Sequence, residues 1–165
     1  MRSGSPLAPA LVAGVVPWWL TDWEVGSTRP LLQVLGALLV VAGTVILLDA
    51  FTRIVREGEG TPAPVAPPTR LVVGGLYRFV RNPMYLAVVV IIVGQALILG
   101  RLDLWLYAGG TWLVTAGFAR WIEEPMLRAQ FGGKYETYGR AVPGWVPRRQ
   151  PWRRTDCAEP PERVS

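Results

Sequence analysis

Histidine is missing from all 165 residues, and cysteine occurs once. Without an imidazole, Ser-His-Asp triads, histidine general bases and histidine-ligated metals are excluded. A lone Cys157 in a polar stretch leaves no intramolecular disulfide and no cysteine-cluster metal site. Charge is scarce too: 18% of the residues are charged, against about 25% in soluble domains. No alternation is long enough to build a sheet, and no strand precedes a GxGxxG turn, so a Rossmann nucleotide site is not expected. What is abundant is apolar: 51% hydrophobic residues, eight tryptophans and a mean hydropathy of +0.30. That composition is too oily for a soluble domain of this length and too rich in Trp and Leu for a disordered chain. A membrane protein is the class that remains.

A hydrocarbon core of about 30 Å is crossed by roughly 20 helical residues. Residues 30–48 and 83–100 are uncharged and read as spans, and 104–122 reads as another with Arg120 snorkelling or facing a cavity. Residues 5–20, broken by Pro9 and Pro17, form a weaker first span, with a re-entrant or interfacial segment as the alternative. Their Trp18-Trp19 end is unlike a signal peptide. Trp18, Trp19, Trp23, Trp105, Trp121 and Trp145 lie near span ends, as aromatic belts do. The expected fold is therefore all-α, a polytopic bundle of about four transmembrane helices.

With four spans, both termini and the loop 49–82 share one side of the bilayer. Of the 17 Lys and Arg residues, only Arg29 and Arg101 fall on the other side. The positive-inside rule then places both termini and the long loop in the cytosol. The net charge of +5 follows from topology and attraction to the leaflet, and a nucleic-acid partner is not expected. Gly58 to Pro68 reads as a proline-stiffened linker, residues 1–150 as one domain, and 151–165 as a polar, disordered tail.

Some polar residues exceed what a membrane anchor needs. In Arg78-Phe79-Val80-Arg81-Asn82-Pro83-Met84-Tyr85, Asn82 reads as a helix cap and Pro83 as the first helical residue. The positive helix end, with Arg78 and Arg81 beside it, favours an anionic group; arginines reaching to lipid headgroups are the plain alternative. Glu123 and Glu124 follow the last span, placed either for a bound cation or as solvated acids before the helix that Pro125 starts. Leu127, Phe131, Tyr135 and Tyr138 then make an apolar stripe at helical spacing. They predict an amphipathic cytosolic-face helix, kinked at Gly132-Gly133, that could cover a pocket between the span ends. A zwitterionic, aromatic ligand matches that arrangement.

The stretches LVVGGLYRFVRNPMY and EEPMLRAQFGGKYETYGRAVPGWVP, separated by one hydrophobic hairpin, resemble the isoprenylcysteine carboxyl methyltransferase family, relatives of the phospholipid methyltransferases. The likeness covers Thr69 to Pro147. It implies an all-helical membrane enzyme that holds S-adenosylmethionine at the cytosolic face. It further implies cofactor contacts from Thr69, Arg70, Leu71, Val72, Tyr77, Asn82, Pro83, Met84, Tyr85 and Glu123, within a cofactor-binding half spanning 69–147, and no metal. Two departures stand out. Asn82 occupies a position where relatives commonly have His, and Ala119 one where eukaryotic members carry an arginine for the substrate carboxylate.

The expected reaction is methyl transfer to a lipophilic or small thiol, carboxylate or amine acceptor, with lipids as the surrounding partners. Arg81 and Arg120 are the candidates for orienting an anionic acceptor, and Glu124 for a polar or basic role. A membrane oxidoreductase of the sterol-reductase type and a non-catalytic scaffold of the same fold are the competing readings.

Overall fold

A computed structural model describes residues 11–21, 29–57 and 71–153. Thr69 and Arg70, the linker Gly58 to Pro68 and the tail from residue 154 lie outside the described residues. Every regular element among those described is helical. A π-helical turn, Leu11–Val15, runs into α1 (Val16–Thr21). Next comes α2 (Pro30–Glu57), and after it a 3-10 turn, Gly75–Arg78. The second half holds α3 (Pro83–Leu99) and α4 (Leu102–Phe118). A π-helical turn, Ala119–Glu123, carries α4 into α5 (Glu124–Phe131), and α6 (Gly133–Ala141) follows.

The α2 helix outruns the apolar segment that starts it. Its uncharged part ends at Leu48, yet the helix continues to Glu57 because Asp49 and Arg53, one turn apart, pair at 3.0 Å. Within it, Pro30–Arg56 is long and apolar enough to cross a bilayer, and only 11% of its apolar window is buried. A helix at the centre of a water-soluble protein would be largely covered. Here Leu31, Leu38, Val41 and Val45 stand exposed instead. Leu11–Thr21 and Pro83–Leu99 are apolar but shorter.

The α2 and α3 helices make the most extensive contact in the molecule, and glycine is the reason they can. A Cβ on Gly36 would stand 2.5 Å from the Gly94 carbonyl oxygen, and one on Gly94 would stand 2.7 Å from that of Gly36. Close approach of this kind lets backbones pack where lipid supplies no hydrophobic drive. Behind the pair, Val88, Ile91 and Ile92 of α3 bury against Ala108 of α4 and Ala13. The N-terminal segment is tied down by its carbonyls: Gln95 Nε2 donates to Ala13 O at 2.7 Å, and Tyr107 Oη to Val12 O at 2.9 Å.

The amphipathic helix expected after the acid pair is divided in two. Gly132 has φ of +52°, a backbone state that glycine tolerates and other residues resist, and α5 ends there. Its stripe does not face lipid. Leu127, Phe131, Tyr135 and Tyr138 pack with Val73, Val142 and Trp152 in one buried cluster. Beyond α6 the chain doubles back as a strap along residues 78–82. The backbone N–H groups of Arg81 and Asn82 donate to Pro143 O and Gly144 O at 2.9 and 3.3 Å. Those of Arg148 and Trp152 donate to Phe79 O and Arg78 O, both at 3.0 Å.

Candidate functional site

The start of α3 is held from several sides. Pro83 takes the first helical position, as expected, and is fully buried. Asn82 occupies the cap position, but its side chain makes no capping hydrogen bond. With φ of −117° and ψ of 56°, Nδ2 donates to Gly144 O at 3.3 Å instead, so the strap takes the amide that was expected to cap. Tyr77 and Met84 pack with Ala50, Val72 and Ile54, joining the α3 start to the end of α2. Leu71 lies against the cluster around Tyr138, whose hydroxyl donates to Tyr77 O at 2.6 Å.

One turn into α3, Tyr85 meets the acid pair. Its hydroxyl donates to Glu123 Oε1 at 2.7 Å, across 38 residues of chain. The two motifs therefore converge on one place. Glu124, the next residue, points elsewhere. It is only 8% exposed, and three arginines surround it. Arg81 Nη1 reaches Oε1 at 3.2 Å, while Arg120 Nη1 and Arg128 Nη2 reach Oε2 at 2.9 and 3.6 Å. Successive residues on a helical turn point about 100° apart, so the two neighbouring acids face different partners.

A cleft of about 370 Å³ opens beside that carboxylate, lined by Arg81, Arg120, Glu124, Arg128, Tyr135, Glu136, Gly139 and Arg140. Tyr135 Oη lies 3.4 Å from Arg81 Nη1. Gly139 and Gly144 lie beside the Arg81 guanidinium, where a Cβ on either would come into contact at 3.4 Å. Arg128 and Arg140 line the cleft without having been singled out in the sequence. Their signal was there, because Arg120, Glu124 and Arg128 repeat every fourth residue, as do Glu136 and Arg140.

Burial pushes the Glu123 carboxyl above its ordinary range, and the Tyr85 hydrogen bond offsets this only in part. Burial also raises the Tyr135 and Tyr138 hydroxyls, so both stay neutral, Tyr138 as a donor to Tyr77 O and Tyr135 as an acceptor from Arg81. Among the described residues no group of three or more His, Cys, Asp or Glu side chains could hold a metal ion.

These features define a helical protein with a membrane-capable helix and a charged site built where apolar helices end. The chain belongs to the phospholipid methyltransferase family, whose model matches residues 31–134, well over half of its length. The matched segment carries the first motif, the opening of the second and the Tyr85–Glu123 contact. Neither a curated protein nor a solved structure matches the chain.

Proposed function

We propose that the chain is an integral-membrane methyltransferase that uses S-adenosylmethionine at the cytosolic face, acting on a lipophilic or small thiol, carboxylate or amine acceptor. Membership of a methyltransferase family supports the reaction class. A four-span topology is supported by the exposed apolar surface. Besides α2, Leu106, Leu113 and Val114 of α4 are uncovered, and in a bilayer such side chains would face lipid. The cytosolic orientation rests on the distribution of arginines.

The single observation that carries the reading is the Tyr85–Glu123 hydrogen bond. It joins the two stretches whose resemblance implies cofactor contact, and it holds a half-buried carboxylate. A carboxylate of this kind suits an ammonium group or ribose hydroxyls, so the residues present fit the cofactor's polar parts. Thr69, Arg70, Leu71, Val72, Tyr77 and Asn82 to Met84 are the other proposed contacts. When bound, S-adenosylmethionine supplies a methyl group already activated on a sulfonium. The chain's own task is then to orient an acceptor and exclude water.

Arg81 and Arg120 remain the proposed acceptor-orienting groups. Glu124, engaged by three guanidiniums, acts as a positioning residue that fixes them. A proton from an amine or thiol acceptor would go to Glu123, whose raised affinity for protons suits that work. Labelled S-adenosylmethionine should bind the purified full chain in lipid. Binding should be lost in Glu123→Ala and Tyr85→Ala variants that keep native helicity. Failure of the unaltered protein to bind, in lipid as well as detergent, would overturn the proposal.

A further inference from the structure

The arginine cleft carries more positive charge than its own acids neutralise. Four guanidiniums line it (Arg81, Arg120, Arg128 and Arg140), against the carboxylates of Glu124 and Glu136. Glu124 is buried and already shared by three of the four. The Glu136–Arg140 pair is 3.7 Å apart and largely exposed, so Arg140 is only loosely held. The surplus of two positive charges faces a cavity of about 370 Å³, with the Tyr135 hydroxyl on its wall. Forked guanidinium donors around a pocket match the oxygens of a phosphate group. An ammonium group would be repelled there.

A second feature runs up to the mouth of that cleft. Leu106, Gly110, Leu113 and Gly117 recur along one face of α4 at steps of three and four, and Arg120 follows at the same step in the turn after it. Leu106 and Leu113 are exposed, and a Cβ on Gly110 or Gly117 would meet nothing within 4 Å. Trp121, next in the chain to Arg120, is 79% exposed, and an aromatic ring of this kind suits the headgroup region of a bilayer. An open apolar track therefore ends on Arg120 and Glu124, which is the layout of an acyl chain continuing into a charged headgroup.

We infer that this cleft binds the phosphate headgroup of a net-anionic lipid whose chain lies along the α4 track. The site is distinct from the Tyr85–Glu123 contact. The inference goes beyond the methyltransferase reading and survives its failure, because lipid binding is measured without any methyl donor.

The test compares phosphatidylglycerol with phosphatidylcholine of identical acyl chains, retained by the full-length protein in detergent and counted by native mass spectrometry. Phosphatidylglycerol should be retained about tenfold better, and the Arg128→Gln/Arg140→Gln double variant should abolish that preference. S-adenosylmethionine affinity, measured alongside, should not change in the double variant. Arg101→Gln, which removes a cation remote in sequence from the cleft, should keep the preference. Glycerol phosphate, lacking chains, should bind far more weakly than the intact lipid. Gly117→Trp, which blocks the track, should weaken retention of the lipid alone. Equal retention of the two lipids by the unaltered protein would overturn the proposal, as would a preference that persists in the double variant or vanishes in Arg101→Gln. Glycerol phosphate binding as tightly as phosphatidylglycerol would overturn the lipid assignment in favour of a soluble phosphate.

Discussion

Glu123 and Glu124 are adjacent in the chain and opposite in circumstance. Glu123 shares one phenolic hydrogen bond in a half-buried position, so its folded form holds a proton more tightly than the ordinary value of 4.5. The unfolded chain has no such preference. Its contribution to stability is therefore complete below pH 4.5 and is lost as pH rises through the elevated folded value. Melting curves in detergent should show the midpoint falling across that range, and Glu123→Gln should flatten the slope. An unchanged slope in that variant would place the titrating group elsewhere. Tyr138 makes a second residue-level case. Its hydroxyl is buried on the Tyr77 carbonyl, and Tyr138→Phe strands that acceptor without disturbing the ring. The cost should be about 1–2 kcal/mol by denaturant titration.

Among the helices, glycines behave according to what lies opposite them. Gly94 faces the Gly36 carbonyl and Val40, with 2.7 and 2.8 Å left for a Cβ. Gly94→Leu should push α2 and α3 apart and destabilise the protein by about 1–3 kcal/mol, or prevent folding. Gly109 lies mid-helix with open space around it. Gly109→Ala should instead stabilise by about 0.5–1 kcal/mol, because alanine costs less backbone entropy in a helix. Thermal melting of the two variants in the same detergent checks both signs. Nothing in sequence spacing alone separates these glycines, since both interrupt apolar helices. The amphipathic stripe taught a related lesson. Its period of three and four was plain, but Tyr135 and Tyr138 are covered by Trp152 and Val142 of the returning strap, not by lipid. Amphipathicity states that a face must be buried, and leaves open against what.

For the molecule as a whole, the lone cysteine provides a direct reading of topology. Cys157 should react with a membrane-impermeant maleimide in inverted vesicles and stay protected in right-side-out cells; the reverse pattern would turn the proposed orientation over. The helical class was legible from the sequence, because scarce charge, long apolar runs and the lack of sheet-forming alternation close off alternatives without reference to contacts. The two motif segments and the proline that opens α3 were legible for the same reason, being local patterns. Their meeting was a different kind of fact. That Tyr85 would touch Glu123, that Glu124 would gather Arg81, Arg120 and Arg128, and that Asn82 would give its amide to Gly144 depend on how α3, the end of α4 and the returning strap pack together. Residue order sets propensity, charge and periodicity over a few turns of chain. Which side chains meet across dozens of residues is settled by packing, which brings Arg81 to one acid and Tyr85 to its neighbour.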